Sequence, residues 1–338
     1  ADYHKPLGEY LIKSGKQVVL VSNNAVKRNR ELLDGRWDKH DVKDSANVAD
    51  LISQGKCLFY DYPSLALREL RNLLSLKRRL KKEEHGYRVR IRNHLLAQYF
   101  PELDKYFGSK ESLGIVKWCV IPTVMKGLPF GEFVRVVTSG RIRSDQEQRL
   151  RRVWEKAVFS IGCEAGEAVA FEAKVLVERV REIREVIKTT EAKIEERCKG
   201  CAEYEYLLTI PGFGPDVSSK VLGAIGDPHR FTTSKEVLKL AGLDLSADRS
   251  GKTADKAVPV LSKKGKADLR YALYQAAFVA STRNRYFIIY YTNTLKGRER
   301  EKGITMKMRV KLSAKLLVIA WTLMKKKEAF NPEYLNLN

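Results

Sequence analysis

Apolar residues recur at helical spacing along most of the chain. From His4 to Lys13, Leu7, Tyr10 and Leu11 share one side and predict a short amphipathic helix ending at Gly15. Gln17-Val-Val-Leu-Val-Ser22 is rich in β-branched residues and too short for a helix, so it predicts a buried strand. A basic helix is expected from about Asn24 to Leu33, with Lys27, Arg28 and Arg30 facing solvent. A Gly35/Trp37 loop and a helix from Asp41 to about Ser53 follow. One strand is too few for a closed α/β sheet, so either further strands lie outside this sequence or the sheet is minimal.

Residues 63–200 read as almost wholly helical. Helices are expected over Leu65–Leu80 and Arg88–Tyr99, the latter stopped by Pro101. Ile115 to Val137 is apolar but interrupted by Pro122, Gly127 and Pro129, which predicts broken helices and turns. One long helix is expected over about Ser144–Arg197. Within it Val169, Ala173, Leu176, Val180, Ile183, Ile187, Thr190 and Ile194 alternate steps of four and three, a heptad seam. Such a seam suits a helical hairpin or a dimer coiled coil; a helix packed on its own domain is the plainer reading. Residues 201–330 form a further domain, with helices at Ser234–Leu240, Ala267–Thr282 and onward to about Lys327. Residues 331–338 are expected to fray. The fold class is therefore mostly α, with an α/β portion at residues 1–62.

Composition narrows the partners. Among 338 residues, 63 Lys and Arg stand against 41 Asp and Glu, a net charge of +22. The excess is concentrated: from Arg249 to Lys327 there are 20 Lys and Arg against four acids, a net of +16. So one-sided a surface points to a polyanion, and nucleic acid is preferred over a membrane surface. The basic residues interleave with Tyr271, Tyr274, Tyr286, Phe287, Tyr290 and Tyr291, which suit base or sugar contacts or a core. No apolar run approaches the ~20 residues of a spanning helix, and no signal peptide opens the chain. Five cysteines are too few for a disulfide scaffold, which favours a reducing cytoplasm. The first residue is Ala1, not Met, as expected of a chain whose natural start lies upstream.

Four patterns carry candidate chemistry. Ile210-Pro-Gly-Phe-Gly214 before a helix reads as the hairpin of a helix-hairpin-helix module. There Gly212 and Gly214 let backbone N–H groups approach a phosphate, and Ala224-Ile-Gly-Asp227 closes the unit. Asp41 and Asp44, three apart at a helix start, share a face and suit a hard ion such as Mg²⁺ or Mn²⁺; helix capping is the plainer reading. Completing the site takes two more acids, and Asp2 and Glu9 are candidates by proximity only. The basic loop Asp248-Arg-Ser-Gly-Lys-Thr253, with Leu261-Ser-Lys-Lys-Gly-Lys266, offers Ser250 as a nucleophile and Arg249, Lys252, Lys263, Lys264 and Lys266 to stabilise phosphorane charge. Ser246 and Ser262 compete for that role. Cys198-Lys-Gly-Cys201 is half a zinc site with no second pair, and reads as a helix terminus.

The chain resembles the insertion-sequence transposases of the IS110 group, understood as bridge-RNA-guided DNA recombinases. The resemblance runs through nearly the whole length. It is strongest in Ile210-Pro-Gly-Phe-Gly214, Ala224-Ile-Gly-Asp227, Arg230-Phe231, Leu240-Ala-Gly-Leu243, Ser250-Gly251, Ser262-Lys-Lys-Gly265 and Leu269-Arg-Tyr-Ala-Leu-Tyr274. At the N-terminus it covers Tyr3 to Leu11, Val18–Val21 and Lys39-His-Asp-Val-Lys-Asp44-Ser-Ala46.

The resemblance implies a ribonuclease H-like (RuvC-like) domain with four carboxylates, a helical coiled-coil middle and a C-terminal domain bearing a serine. It places the third and fourth metal-binding acids on Asp41 and Asp44 and the other two upstream of Ala1, so residues 1–62 would be a remnant of that domain. It places the nucleophile on Ser250 and adds Arg270 to the nucleic-acid contacts. Implied partners are double-stranded DNA, a structured guide RNA and further copies of the chain as a homodimer or tetramer, in a prokaryotic, nucleoid-associated setting. Two alternatives stay open: a RuvC-like metal-dependent nuclease or resolvase without a covalent step, and a non-catalytic nucleic-acid-binding protein.

Overall fold

A computed structural model describes residues 4–34, 41–60, 62–246 and 260–335. The chain divides into two compact units, residues 1–67 and residues 68–338.

In the first unit, α1 (His4–Lys13) ends as expected, with Gly15 at φ 73°. The expected buried strand is reduced to β1 (Val19–Leu20), with Leu20 exposed. Then come α2 (Asn23–Asp34), α3 (Asp41–Ser53) and β2 (Leu58–Phe59). β1 and β2 pair antiparallel, Val19 opposite Phe59. No second layer of described residues covers this ladder, so Leu58 and Phe59 stay exposed. Gly8 lies against the Tyr60 ring, 3.5 Å from where a Cβ would stand.

Helices α2 and α3 are joined by polar groups. Buried Asn29 donates to Asn47 Oδ1 (2.9 Å) and Asp50 Oδ2 (2.6 Å), and Asn47 donates to the Val26 carbonyl (2.7 Å). Buried amides are tolerated because each finds a partner. Arg30 departs from the solvent-facing expectation: its guanidinium turns onto Asp44.

The second unit opens with α4 (Leu65–Arg90). The sequence predicts a break before Arg88, yet the helix continues through one wide π turn at Ile91–Leu96 into α5 (Ala97–Tyr99). That turn buries Ile91, Leu95 and Leu96 together, the local rearrangement a π turn permits. A 3₁₀ segment at Pro101–Tyr106 follows, then α6 (Ser112–Cys119), α7 (Pro122–Lys126) and α8 (Phe130–Val137), the broken helices the prolines and glycines foretell.

The expected single helix over 144–197 is two, α9 (Ser144–Ala157) and α10 (Glu167–Lys199). Gly162 decides this: a Cβ there would lie 2.0 Å from the Tyr99 carbonyl oxygen, so an extended strand of chain crosses the end of α5. Cys163 N–H donates to Gln98 O, and Glu102 accepts from Ser160 Oγ and Ile161 N–H. Tertiary contact here overrides a helical pattern.

The heptad seam of α10 is closed within the chain. Ala173, Leu176, Val180, Ile183, Ile187, Thr190 and Ile194 are all buried. Ion pairs Arg197–Glu69, Lys77–Glu191 and Arg184–Glu84 show α4 running antiparallel beside it, a pairing of helices distant in sequence rather than a hairpin. This pair of helices links two cores. One gathers Phe100, Ile115, Phe133, Leu150 and Val177; the other holds residues from Leu70 and Ile194 onward through the C-terminal part.

The C-terminal part comprises α11 (Ala202–Leu208), α12 (Pro215–Ile225), α13 (Ser234–Ala241), β3 (Leu245–Ser246), β4 (Val260–Leu261), α14 (Ala267–Arg283), α15 (Arg285–Leu295) and α16 (Ile304–Lys326). Buried Ala272, Ala276, Ala277 and Ala280 let α14 lie close to α16, where Leu312, Leu316, Ala320 and Leu323 are buried. The tail is ordered further than expected: Pro332–Leu335 form a 3₁₀ turn and Leu335 is buried.

Candidate functional site

Ser250, with Arg249 and Lys252, lies outside the described residues. The segment that holds it begins and ends at a described ladder, with Ser246 paired opposite Val260 and Leu245 opposite Leu261. Below this ladder two turns cross. Leu240-Ala-Gly-Leu243 closes α13 with Gly242 at φ 65°, and Ser262-Lys-Lys-Gly265 leads into α14. Lys263 N–H donates to Gly242 O (3.2 Å) and Lys266 N–H to Leu240 O (2.8 Å). A Cβ on Gly265 would stand 2.7 Å from Leu240 O, so this crossing demands glycine. Lys263 itself is held at φ 53°.

Ser262 is tied to its own surroundings: its Oγ donates to Asp244 Oδ1 while its N–H donates to Asp244 O. Arg270 is half-buried and donates to the Ala241 carbonyl (2.9 Å), capping α13. Lys263 and Lys264 are exposed beside the crossing and have no acidic partner among the described residues.

Lys266 faces elsewhere, into a groove of about 670 Å³ between α4, α12 and the start of α14. The groove also takes Arg71, Lys77, Arg78 and Lys81 from α4 and Lys220 from α12, against Asp216 and Asp268. Most of these cations are committed. Lys77 bridges Asp216 (2.6 Å) and Glu191 (2.8 Å), Lys220 meets Asp216 (2.7 Å), and Arg78 meets Asp268 (3.4 Å). Arg71 Nε donates to Gly223 O (2.7 Å). Lys266 has no such partner among the described residues. Desolvation by the groove walls, then Arg71 and Arg230, push its pKa down to about 8.

Sequence reasoning missed the α4 and α12 contributions. A signal exists: Arg71 and Arg78 are seven apart on α4, and Asp216, Lys220 and Gly223 are four and three apart on α12, each on one helix face.

Gly212 and Gly214 differ in surroundings. Gly212, at φ 90°, packs on α14, where a Cβ would lie 2.4 Å from Ala276 O. Gly214 is open on that test and precedes Pro215 at the start of α12. Arg230 caps the far end of α12 through Ile225 O (2.9 Å) and Ala224 O (3.2 Å), which accounts for Ala224-Ile-Gly-Asp227 followed by Arg230.

The carboxylates lie in the first unit. Asp41 and Asp44 share the first turn of α3; Asp41 is exposed, and Asp44 accepts from Arg30 Nη2 (2.7 Å) and Nε (3.1 Å). Glu9 pairs with Lys13 (2.9 Å), and Asp2 lies outside the described residues. Among the described residues no three His, Cys, Asp or Glu stand close enough to share a metal. Asp41 and Asp44 are hard oxygen donors that suit Mg²⁺ or Mn²⁺ as two members of a larger set. Cys198 is fully buried, its thiol pushed up to about 12 by burial, then by Cys201 and Glu195, and among the described residues no further ligand joins the pair. No described helix is long and apolar enough to cross a membrane.

Residues 204–292 match the family model described as "Transposase IS116/IS110/IS902 family", and residues 1–101 match a second model, described as "Transposase", for the DEDD domain of the IS110 group. The first range holds both crossing turns and the whole of α14; the second holds Asp41 and Asp44. The DEDD type points to divalent-metal use in general. No curated protein matches the chain. The two matched ranges together span more than half of the sequence, and the chain belongs to the IS110 family of DNA transposases.

Proposed function

We propose that this transposase cuts and rejoins DNA through Ser250, with Asp41 and Asp44 contributing two ligands to a divalent metal and a structured RNA guiding the choice of site. One observation carries the reading. The described residues on either side of the segment bearing Ser250 pair in the β3–β4 ladder, and Lys263 and Lys264 stand exposed at the glycine crossing without acidic partners among the described residues. A nucleophilic hydroxyl needs unneutralised cations nearby in sequence and fold to stabilise the charge that develops on a phosphodiester.

In this reading Ser250 Oγ attacks the scissile phosphorus, its proton leaves, and the P–O bond to the departing DNA hydroxyl breaks. A phosphoserine link results. Attack by a second DNA hydroxyl reverses the step, so no nucleoside triphosphate is consumed. When bound, the metal would polarise the phosphate. Releasing Asp44 to it requires loosening the Arg30 pair. The α11–α12 turn serves as a helix-hairpin-helix, with Gly214 as its phosphate-facing glycine and Gly212 as its packing glycine. Residues 1–62 are read as a portion of a RuvC-like domain, and the protein acts as a homodimer or tetramer.

The test is a denaturing gel of the protein incubated with DNA carrying the element's ends, its RNA and Mg²⁺. A protein–DNA adduct that Ser250→Ala abolishes supports the reading. Metal-dependent cutting without an adduct, lost in Asp44→Ala, transfers support to a nuclease mechanism. Salt-sensitive binding alone leaves a non-catalytic protein.

A further inference from the structure

We propose that the outer face of α14, with the groove it opens into, is a track for an unpaired stretch of nucleic acid. Bases would stack on Tyr271 and Phe278 while phosphates meet Lys266 and Arg309. This rests on the transposase reading above and deepens it by naming the state of the strand that this face accepts.

Tyr271, Gln275, Phe278 and Thr282 recur at steps of four, three and four, one stripe of a helix. The opposite stripe, Ala272, Ala276 and Ala280, is buried, so packing fixes which way the first stripe looks. Tyr271 is 62% and Phe278 47% exposed, whereas Phe287, on the next helix, is fully buried. The aromatics that interleave with the basic residues thus separate into core and surface members. Tyr271 and Gln275 also line the groove holding Lys266, and Gln275 Nε2 donates to Tyr271 Oη (3.1 Å).

At the other end, the Arg309 guanidinium lies 4.6 Å from the Phe278 ring centre and 5.8 Å from that of Tyr291. It has no ion-pair partner among the described residues, and its Nε is buried without a hydrogen bond. A cation stacked on aromatic rings and left without an acid is preorganised for an anion brought by a ligand.

Charge selects the occupant. The acids of the groove, Asp216 and Asp268, already pair with Lys77 and Arg78, which leaves Lys266 and Arg309 uncompensated among the described residues. A second copy docking this face on itself would set unpaired cations against each other. A polyanion gains from them. Flat rings on an open helix suit bases whose faces are free, and a duplex keeps its base faces covered by stacking. Tyr271 and Phe278 are about 10.5 Å apart along the helix, room for intervening nucleotides of a strand rising ~3.4 Å per base.

Fluorescence anisotropy of the full chain with labelled oligothymidylate, oligouridylate and a mixed-sequence duplex tests this. Tyr271→Ala and Phe278→Ala are expected to weaken binding of the single strands about tenfold each and to leave the duplex within about twofold. Tyr271→Trp should restore the loss, and the two oligonucleotides show whether DNA or RNA is preferred. Unchanged single-strand affinity in both variants overturns the proposal. So does an equal loss on strand and duplex, or a self-association in sedimentation that Phe278→Ala removes. The Ser250 adduct is read separately: an adduct with aromatic-independent strand binding defeats this inference alone, and aromatic-dependent binding without an adduct defeats the serine reading alone.

Discussion

Gly242 and Gly265 pass backbone to backbone: a Cβ on Gly265 would stand 2.3 Å from the Gly242 amide nitrogen, and one on Gly242 2.9 Å from that of Gly265. The contact joins two short motifs that the Ser250 segment separates in sequence, and it sets the base from which that segment leaves. Gly265→Ala must push the two turns apart. It is expected to cost about 2–3 kcal/mol, read as a lower urea midpoint, and to reduce DNA strand transfer. Gly108→Ala, exposed with no atom near its missing Cβ, is the control and should change stability by under about 0.5 kcal/mol.

Asp216 and Lys77 predict a stability profile with two limbs. Burial raises the Asp216 pKa, but hydrogen bonds from Lys220 and Lys77 outweigh it and hold it below the ordinary 3.8. Burial lowers Lys77, but Asp216 and Glu191 outweigh it and hold it above 10.5. The aspartate's contribution is complete above 3.8 and is lost as pH falls through its depressed value. The lysine's is complete below 10.5 and is lost as pH rises through its raised value. Asp216→Asn should cost about 2 kcal/mol at neutral pH, less than for a fully buried pair because Asp216 is partly exposed. Denaturant titrations should show the gap to wild type closing in acid.

Asp41 and Asp44 should separate under mutation. Asp44→Asn loses the Arg30 pair and is expected to lower stability by about 1 kcal/mol, whereas Asp41→Asn, exposed, should leave melting unchanged. If both serve the metal, both abolish Mg²⁺-dependent strand cutting. Loss of activity in Asp44→Asn alone would assign that carboxylate to structure.

Lys266 predicts a pH-dependent grip on nucleic acid. Its folded pKa is depressed to about 8, so between 8 and 10.5 the unfolded chain holds more protons and this residue makes stability rise with pH. Binding of a phosphate favours the ammonium, so above pH 8 binding must take up a proton and apparent affinity should fall. Anisotropy titrations from pH 6.5 to 9.5 (about three units, the span over which one group titrates) should show this in wild type and a flat profile in Lys266→Arg.

The thiols offer a check on packing. Cys163 is exposed, while Cys119 and Cys198 are fully buried with pKa values pushed up to about 12 by burial. A disulfide-exchange reagent should label Cys163 rapidly and Cys119 and Cys198 only on unfolding.

Much of this was written in local pattern. Helix α3 begins and ends where the sequence predicts, because its apolar positions and flanks are local signals. The α10 seam was legible for seven of its eight positions, with Val169 half-buried and Val177 added to the buried face, since a 3.5-residue repeat survives any choice of partner. The break at Gly162 was not legible, because its cause is the carbonyl of Tyr99, far back along the chain. Nor was the unbroken run of α4 past Leu80 legible. Lys81 to Tyr87 has no apolar stripe, and it stays helical while Arg184 of α10 holds Glu84.

By itself the sequence determined the helical class, the one-sided positive charge and the family motifs, and it named candidates for phosphoryl chemistry, all from composition and short-range spacing. The tertiary structure decided which of those residues are available. It turned Arg30 onto Asp44, spent Arg270 and Gly212 on packing, left Lys266 and Arg309 without acids among the described residues, and sorted the aromatics of α14 and α15 into core and surface. Availability depends on which distant backbone or carboxylate arrives within a few ångströms, and chain-local pattern carries no record of that.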